Sequence, residues 1–322
     1  ASHSDDFAGS DLEIEGGERL GDIHRGDFTS GAVLDRPATT SLGAIMTHKT
    51  QADQAGNAPS RPLFYKVPQL LHSQVHSRWR LKDGDAAFAA EAPYVPILVS
   101  ELAAASRNYP IVFAGDDAQP LAVLGLEKRN LFVKDGVWRD DSYVPAYVRR
   151  YPFAFVATSD PDGFALAIDA GSERVMDGGE EGVPLFENDK PSALTQSALD
   201  FCGAFQNDIA TTRAFADALK AQDLLIDRRA DATLPDGRKL GLDGFQVIDA
   251  EKLSKLPDEI VLEWHNNGYL AWAYFHLASL DRFQSLLRLQ AAMPKSHPDV
   301  SQSEHSDGAQ KRANPKTKKV AS

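Results

Sequence analysis

The spacing of hydrophobic residues changes between the two halves of this chain, and that change limits the folds open to it. In the first half, IVFAGDDAQPLAVLGL (residues 111–126) and FAFVATSDPDGFALAID (residues 153–169) each place two apolar runs around a turn, which is typical of β-hairpins. In the second half, SALTQSALDFCGAFQNDIA and TTRAFADALKAQDLL place apolar residues three and four apart, which predicts two amphipathic helices. The sequence therefore predicts an α+β domain: an antiparallel β-sheet built from hairpins in the first half, packed by helices mostly from the second half.

One apolar run in the second half does not reveal its secondary structure. YLAWAYFHLASL (residues 269–280) is nearly continuous in apolar residues. Such a run fits a buried strand or a buried helix, because its period does not separate the two. The sequence leaves both alternatives open.

The two ends of the chain are too poor in apolar residues to form a core. Residues 1–60 hold ten Asp and Glu against four Lys and Arg, and residues 295–322 contain no Leu, Ile, Phe, Tyr or Trp. Segments of this kind bury too little apolar surface to offset the entropy lost on ordering. We predict a disordered acidic head (1–60), a single α+β domain (61–294) and a disordered basic tail (295–322). Met46 is the first candidate initiator, so residues 1–45 are left out of the fold prediction.

Charge and hydropathy narrow the classes of partner. The formal net charge is −12, of which −9 falls in residues 61–294, and an acidic surface repels nucleic acid. The chain has no run of 18 apolar residues and no secretory signal at its start. We expect no nucleic-acid partner, no membrane span and a cytoplasmic location, and the oligomeric state stays open. The single cysteine, Cys202, lies among apolar residues and is expected to be buried.

The Tyr/Arg segment, YVPAYVRRYPF (residues 143–153), is the strongest candidate for a binding site. Arginine grips carboxylate or phosphate through two hydrogen bonds and stacks on aromatic rings. Arg149 and Arg150 are adjacent, and Tyr143, Tyr147 and Tyr151 can supply those rings in either a helical or an extended conformation. The segment therefore predicts recognition of an acidic small molecule or an acidic protein segment.

The structural alternative is that the two arginines pair internally with carboxylates. Glu101 and Asp169 are the candidate ion-pair partners, since buried arginines are almost always paired. Neighbouring residues point in different directions, so one arginine is expected to face inward and the other outward. Arg150 is favoured as the inner one, because it shares the parity of Val144 and Val148 if the segment is extended.

The histidines give weaker signals. His72 and His76 have the i,i+4 spacing of a zinc site but lack the glutamate that such a motif places between them. His276 lies inside an apolar run, where a hydrogen-bonded core histidine is favoured over a catalytic base. The chain has no CxxC pair, phosphate loop, GxGxxG or GxSxG motif, so we expect no cofactor and no metal.

Several segments together resemble one family. RPLFYK, HSRWRL, FAAEAPYVPILVSELAAASRNYPIVF, LAVLGL, NLFV, YVPAYVRRYPF, EGVPLF and HLASL occur in the order and at about the spacing of the bacterial SapC family. The resemblance covers about residues 61–288. It implies a role connected with the bacterial surface layer, with the cell surface as the alternative location, and it carries over no catalytic residues.

Three hypotheses about function follow. The first is a SapC-like soluble accessory protein that recognises an acidic ligand or partner through the Tyr/Arg segment. The second is an enzyme in which Arg149 or Arg150 holds a carboxylate or phosphate of a small substrate, while His276 or a nearby tyrosine moves the proton. The third is a structural component of the cell surface. A pocket that held an arginine beside a histidine or glutamate with a shifted pKa would favour the enzyme.

Overall fold

A computed structural model of the chain describes residues 62–158 and 163–293, together with the backbone of three short strands nearer the start. Apart from those strands, the predicted head and tail lie outside the described residues. The division of the chain at residues 60 and 295 therefore stays a prediction.

The elements of the described residues follow the order that the sequence predicts, with strands dominant first and helices later. The strands are β1 (Leu12–Ile14), β2 (Glu18–Arg19), β3 (Ala38–Ser41), β4 (Pro68–Leu70), β5 (Trp79–Leu81), β6 (Tyr94–Pro96), β7 (Ile111–Ala114), β8 (Gln119–Val123), β9 (Val133–Lys134), β10 (Val137–Trp138), β11 (Phe153–Ala157), β12 (Phe164–Asp169), β13 (Val175–Asp177), β14 (Val183–Pro184), β15 (Phe186–Glu187), β16 (Lys190–Pro191), β17 (Leu225–Thr233) and β18 (Lys239–Ile248). The α-helices are α1 (Leu102–Ala105), α2 (Ala146–Arg149), α3 (Ala193–Ala221), α4 (Ala250–Ser254), α5 (Asp258–Asn267), α6 (Tyr269–Ser279) and α7 (Arg282–Ala291), with 3-10 turns at Ala87–Ala89 and Val99–Glu101.

The largest sheet is mostly antiparallel. Its strands run in the order β2-β1-β17-β18-β7-β8-β6, and β3 pairs with β18 in parallel. The predicted hairpin at residues 111–126 forms β7 and β8, where Val112 faces Leu121. All four residues of β7 are buried, so this hairpin lies in the core rather than at the surface.

The second predicted hairpin forms β11 and β12. Phe155 faces Leu166 across it, and β4 extends the sheet where Leu70 faces Ala167. A further small sheet joins β13, β5 and β14. These antiparallel sheets and the helices around them confirm the α+β class.

The longest strand pair, β17 with β18, lies in the second half. The sequence predicts the end of β18 and the turn before it, but not β17, whose residues LIDRRADAT lack a hydrophobic alternation. Charged contacts replace that pattern: Arg229 contacts Asp231 on the same strand at 2.8 Å and Asp243 on β18 at 3.8 Å. Opposite charges on neighbouring strands stabilise a sheet by a fraction of a kcal/mol, about 0.2–1 per pair.

The two helices predicted between residues 192 and 225 are one helix, α3, which spans 29 residues. The predicted boundary falls between Ala210 and Thr211. The hydroxyl of Thr212 instead donates to Asp208 O at 2.7 Å and accepts from Val99 N at 3.1 Å. Both contacts hold the threonine inside the helix, so the helix continues. Cys202 lies on the buried side of α3 and is 3% exposed, as predicted.

The apolar run at residues 269–280 is helical. α5 ends at Gly268, whose φ of 86° lies in the left-handed region that favours glycine at a helix end. α6 begins at the next residue and covers the run. Within the part of the chain that the structure describes, no helix is both long enough and apolar enough to cross a membrane.

Candidate functional site

The Tyr/Arg segment begins with one turn of helix, α2, rather than with an extended strand. Pro145 has ψ of 145° and caps the turn, and its carbonyl accepts hydrogen bonds from Val148 N at 2.9 Å and Arg149 N at 3.0 Å. The amide of Arg150 donates to Ala146 O at 3.0 Å. Consecutive side chains on a helix are turned by about 100°. The two arginines therefore point in different directions.

Arg150 is the inner arginine and is half-buried among aromatic rings. Its guanidinium carbon lies 4.3 Å from the ring centroid of Tyr147, 4.4 Å from that of Phe205 and 5.8 Å from that of Tyr65. Its Nε is buried and has no hydrogen-bond partner among the described residues. Tyr147 and Arg150 meet because they are three residues apart on a helix, so the predicted orientation is right although the extended parity on which it rested is not.

Arg149 is the outer arginine and is exposed. Its Nε donates to Val144 O at 3.0 Å, and its Nη2 donates to the hydroxyl oxygen of Tyr143 at 3.1 Å. The guanidinium carbon lies 5.7 Å from the ring centroid of Tyr143 and 5.3 Å from that of Phe201. A guanidinium has five N–H donors, so these two bonds fix its plane and leave donors for another group.

The predicted pairing of an arginine with Glu101 or Asp169 is not formed. Among the described residues, neither Arg149 nor Arg150 has a carboxylate oxygen within ion-pair distance. The oxygens of both carboxylates are occupied by backbone amides and tyrosine hydroxyls instead. The physical reason is that a buried carboxylate is stabilised by such donors without a cation.

Glu101 is buried beneath Tyr143. Its Oε1 accepts from the Tyr143 hydroxyl at 2.9 Å and from Ala146 N at 2.6 Å, and its Oε2 accepts from Leu98 N at 2.9 Å. Burial raises the pKa of Glu101 above its ordinary value, and these hydrogen bonds oppose that rise. Burial and the Glu101 charge raise the pKa of Tyr143 to about 12. The hydroxyl of Tyr143 thus links Glu101 to Arg149.

Asp169 is fully buried and organises the other end of the segment. It accepts from the backbone amides of Lys66 at 3.1 Å, Val67 at 2.6 Å and Gly171 at 3.2 Å, and from the Tyr151 hydroxyl at 2.9 Å. These bonds tie β12 to the chain before β4. Asp169 therefore has a structural role in this arrangement.

Tyr147 and Tyr151 lie beneath the surface of the site. Both are buried. The hydroxyl of Tyr147 donates to Leu63 O at 3.2 Å, and the ring of Tyr151 stacks on Phe88 with centroids 4.2 Å apart. Burial raises the pKa of Tyr151 to about 12. Of the three tyrosines predicted to bind ligand, Tyr143 is the one that is not buried.

Helix α3 brings the two arginines onto one surface. Phe201, which supports Arg149, and Phe205, which supports Arg150, are four residues apart on α3. Four residues correspond to one turn and a rise of about 6 Å. The two guanidiniums, called here the arginine pair, therefore lie along the same face of α3.

Sequence reasoning missed Phe201, Phe205 and Tyr65. Phe201 and Phe205 share a helix face with each other through their i,i+4 spacing, and that spacing was available as a signal. It does not indicate which distant segment the two rings meet. Tyr65 precedes the domain's first strand and gives no local signal.

His276 is a core histidine that lies apart from the arginine pair. It is fully buried, its Nε2 accepts from Ile248 N at 3.1 Å, and its ring centroid lies 4.9 Å from that of Phe113. Burial lowers the pKa of His276 to about 3, so the ring is neutral near pH 7. The structure does not bring His276 together with either arginine.

The pair His72 and His76 lies in a turn. His76 Nδ1 accepts from His72 N at 3.0 Å, and the ring of His76 packs on Trp79 with centroids 4.2 Å apart. In the described ranges no group of three or more His, Cys, Asp and Glu side chains is arranged to hold a metal ion.

Comparison with known proteins places the chain in a family. No curated protein and no solved structure matches it significantly. A model of the SapC family matches residues 71–286, a range that contains α2, the arginine pair, Glu101 and α3. This match confirms the resemblance drawn from the order of the sequence segments. The chain belongs to the SapC family.

Proposed function

We propose that this SapC-family protein is an accessory protein that binds an acidic ligand, or an acidic segment of a partner protein, through the arginine pair. The observation that carries the proposal is that the guanidiniums of two adjacent residues rest on rings of one face of α3 without an ion-pair partner among the described residues. The carboxyl or phosphate group of a ligand would supply the missing partner.

The surroundings of the arginine pair favour an anion. A guanidinium held against aromatic rings is partly removed from water, so a charge-assisted hydrogen bond to it is worth more than one at an open surface. The arginine pair lies on a protein whose formal net charge is −12. A local cationic site on such a protein attracts an anion only at short range, which favours a small acidic group or a short acidic segment over an extended polyanion.

Glu101 and Tyr143 have a positioning role in this proposal. Glu101 is held by two backbone amides and holds the hydroxyl of Tyr143, and that hydroxyl accepts from Arg149. The chain of bonds fixes the plane of the Arg149 guanidinium before a ligand arrives. Fixing it in advance reduces the entropy lost on binding.

Binding is favoured over catalysis by the groups around the arginine pair. His276 is neutral and packs against Phe113 and β18 instead. The oxygens of Glu101 accept three hydrogen bonds, and the pKa of Tyr143 is about 12. His276 and Tyr143 are therefore unsuited to move a proton near neutral pH, and the oxygens of Glu101 are already occupied by hydrogen-bond donors. The link to the bacterial surface layer rests on the family resemblance and indicates where an acidic partner should be sought.

The proposal can be tested with chemically simple anions. We expect a fluorescent oligoglutamate peptide, citrate or inorganic phosphate to bind the full chain, with affinity that falls as salt is raised. Arg149→Gln and Arg150→Gln should each lower the affinity for the tightest-binding of these probes by about tenfold or more. Arg78→Gln is the matched control, since Arg78 is exposed and already paired with Asp177 at 2.8 Å. Equal binding by all four proteins, or no binding by the native chain, would contradict the proposal.

A further inference from the structure

Helix α6 exposes an apolar stripe to solvent. Tyr274 is 56% exposed and Phe275 37% exposed, and Ala271 and Ala278 on the same face are exposed as well. These four residues, called here the α6 stripe, follow the i, i+3, i+4, i+7 spacing and lie within an arc of about 100°. The opposite face carries Ala273, His276 and Ser279, which are buried.

A helix of this composition is unusual at a surface. The eleven residues of α6 contain no Asp, Glu, Lys or Arg. A helix that is apolar on all sides is normally covered on all sides, and contiguous exposed apolar surface marks an interaction site. The α6 stripe therefore has the composition of a contact surface.

We propose that a second copy of this chain covers the α6 stripe, with the two α6 helices packed antiparallel about a two-fold axis. The stripe is symmetric about its centre, because an alanine lies three residues before Tyr274 and another lies three residues after Phe275. In the antiparallel arrangement Ala271 faces the partner's Ala278, and Tyr274 faces the partner's Phe275. A two-fold interface requires such a self-complementary surface, and the alanines let the two helices approach closely.

Charge at the helix ends favours the antiparallel arrangement. Asp281 is exposed just beyond the C-terminus of α6. In an antiparallel pair it lies near Gly268 at the start of the partner's α6, far from the partner's Asp281. In a parallel pair the two copies of Asp281 would lie side by side and repel each other.

Other occupants fit the stripe less well. The chain's own tail, residues 295–322, has no Leu, Ile, Phe, Tyr or Trp with which to fill it. A membrane surface is disfavoured because helices that lie on anionic lipid carry Lys and Arg on their polar face, whereas the exposed charges of the preceding helix α5 include Asp258, Glu259 and Glu263. Of the tail, a membrane and a second copy, the second copy fits the stripe best.

The dimer is expected to be weak and concentration-dependent. A helix of eleven residues is about 16 Å long, so the stripe covers less area than the roughly 800 Å² per partner of a typical stable interface. Sedimentation velocity from micromolar to millimolar concentration should show a monomer that converts to a dimer. This inference does not depend on the arginine pair and holds or fails separately from it.

Disulfide trapping tests the arrangement. Ala271→Cys and Ala278→Cys are made as two separate full-length variants. In the antiparallel pair the two copies of residue 271 lie about 10 Å apart along the axis, beyond the reach of a disulfide, so neither variant alone should cross-link on mild oxidation. An equal mixture of the two should. Cys202 does not interfere because it is buried.

A charge variant gives an independent readout. Tyr274→Glu should weaken self-association by about tenfold or more, without a change in the melting temperature of the monomer, since the side chain is largely exposed. Val137→Glu is the matched control, because Val137 is 61% exposed on β10; it should leave self-association unchanged. The proposal is overturned by a chain that stays monomeric at millimolar concentration, by cross-linking of either cysteine variant alone, or by a mixture that does not cross-link.

Discussion

The guanidinium carbon of Arg150 lies 4.4 Å from the ring centroid of Phe205, and no carboxylate of the described residues pairs with it. An arginine that is held by rings rather than by an acid keeps its charge available. Of the two explanations that the sequence left open, this relationship argues against the internal ion pair and is the basis for proposing a binding site.

Replacing the inner arginine should cost little stability. Arg150→Met removes ring contacts worth about 0.5–2 kcal/mol, but it also removes a buried Nε that has no partner. We expect a net loss of about 1 kcal/mol or less in urea titrations, and a similar or smaller one for Arg149→Met. A loss of about 3–5 kcal/mol for Arg150→Met would reveal a buried carboxylate that depends on it.

Glu101 and Tyr143 should act as a unit. Glu101→Gln places an amide where two backbone N–H groups and the Tyr143 hydroxyl donate, so we expect a loss of about 1–3 kcal/mol of unfolding free energy. Tyr143→Phe should cost about 1 kcal/mol. The double variant should lose less than the sum of the two, by at least about 0.5 kcal/mol. Strict additivity would show that the hydroxyl and the carboxylate are not coupled.

Acidification should destabilise the protein through His276. Its pKa of about 3 in the folded chain lies below the ordinary value of 6.5, so the unfolded chain binds the proton more readily and stability is lost as the pH falls below 6.5. Between about pH 7.5 and about pH 5.5 this group alone should remove roughly 1–1.5 kcal/mol. His276→Gln, which keeps an acceptor for Ile248 N, should lose correspondingly less over that range. An NMR titration in which His276 protonates near pH 6.5 in the folded protein would disprove the burial argument.

Cys202 should be chemically silent. Burial raises the pKa of its thiol to about 11, so almost no thiolate is present at pH 7 to react. Cys202→Ala should cost about 1–2 kcal/mol through lost packing against β11 and β12, and labelling of the native thiol should be slow. Labelling at the rate of an unfolded control would contradict the buried position.

Local pattern was sufficient to predict some elements and not others. The hairpins β7–β8 and β11–β12 follow from apolar runs around turn residues, and the inner position of Arg150 was predicted, although for an extended rather than a helical backbone. The strand β17 was missed because charged residues, paired within the strand and with Asp243 of β18, replace the apolar alternation there. The helix at Tyr269–Ser279 stayed ambiguous because its apolar residues run around most of its circumference.

In the candidate site, too, residues that are close in sequence were predicted and residues from distant segments were not. Arg149, Arg150 and Tyr143 are adjacent or nearly so in the chain, and the sequence singled them out. Phe201 and Phe205 lie about 50 residues further along, and only the packing of α3 brings them to the arginines. The sequence suggested Glu101 and Asp169 as acids for the arginines, whereas both accept mainly from backbone amides. Contacts of this range depend on the tertiary fold and leave no periodic signal.

The most direct test of the arginine pair is to observe the side-chain N–H groups of the two arginines by NMR. The Nε–Hε resonances of Arg149 and Arg150 should be observed by ¹H–¹⁵N NMR while the full chain is titrated with phosphate and then with the oligoglutamate peptide. We predict saturable shifts of both resonances with at least one probe, suppressed by added salt, while the resonance of Arg78, already paired with Asp177, stays in place. If Arg149 and Arg150 shift no more than Arg78 with either probe, the arginine pair is not an anion-binding site.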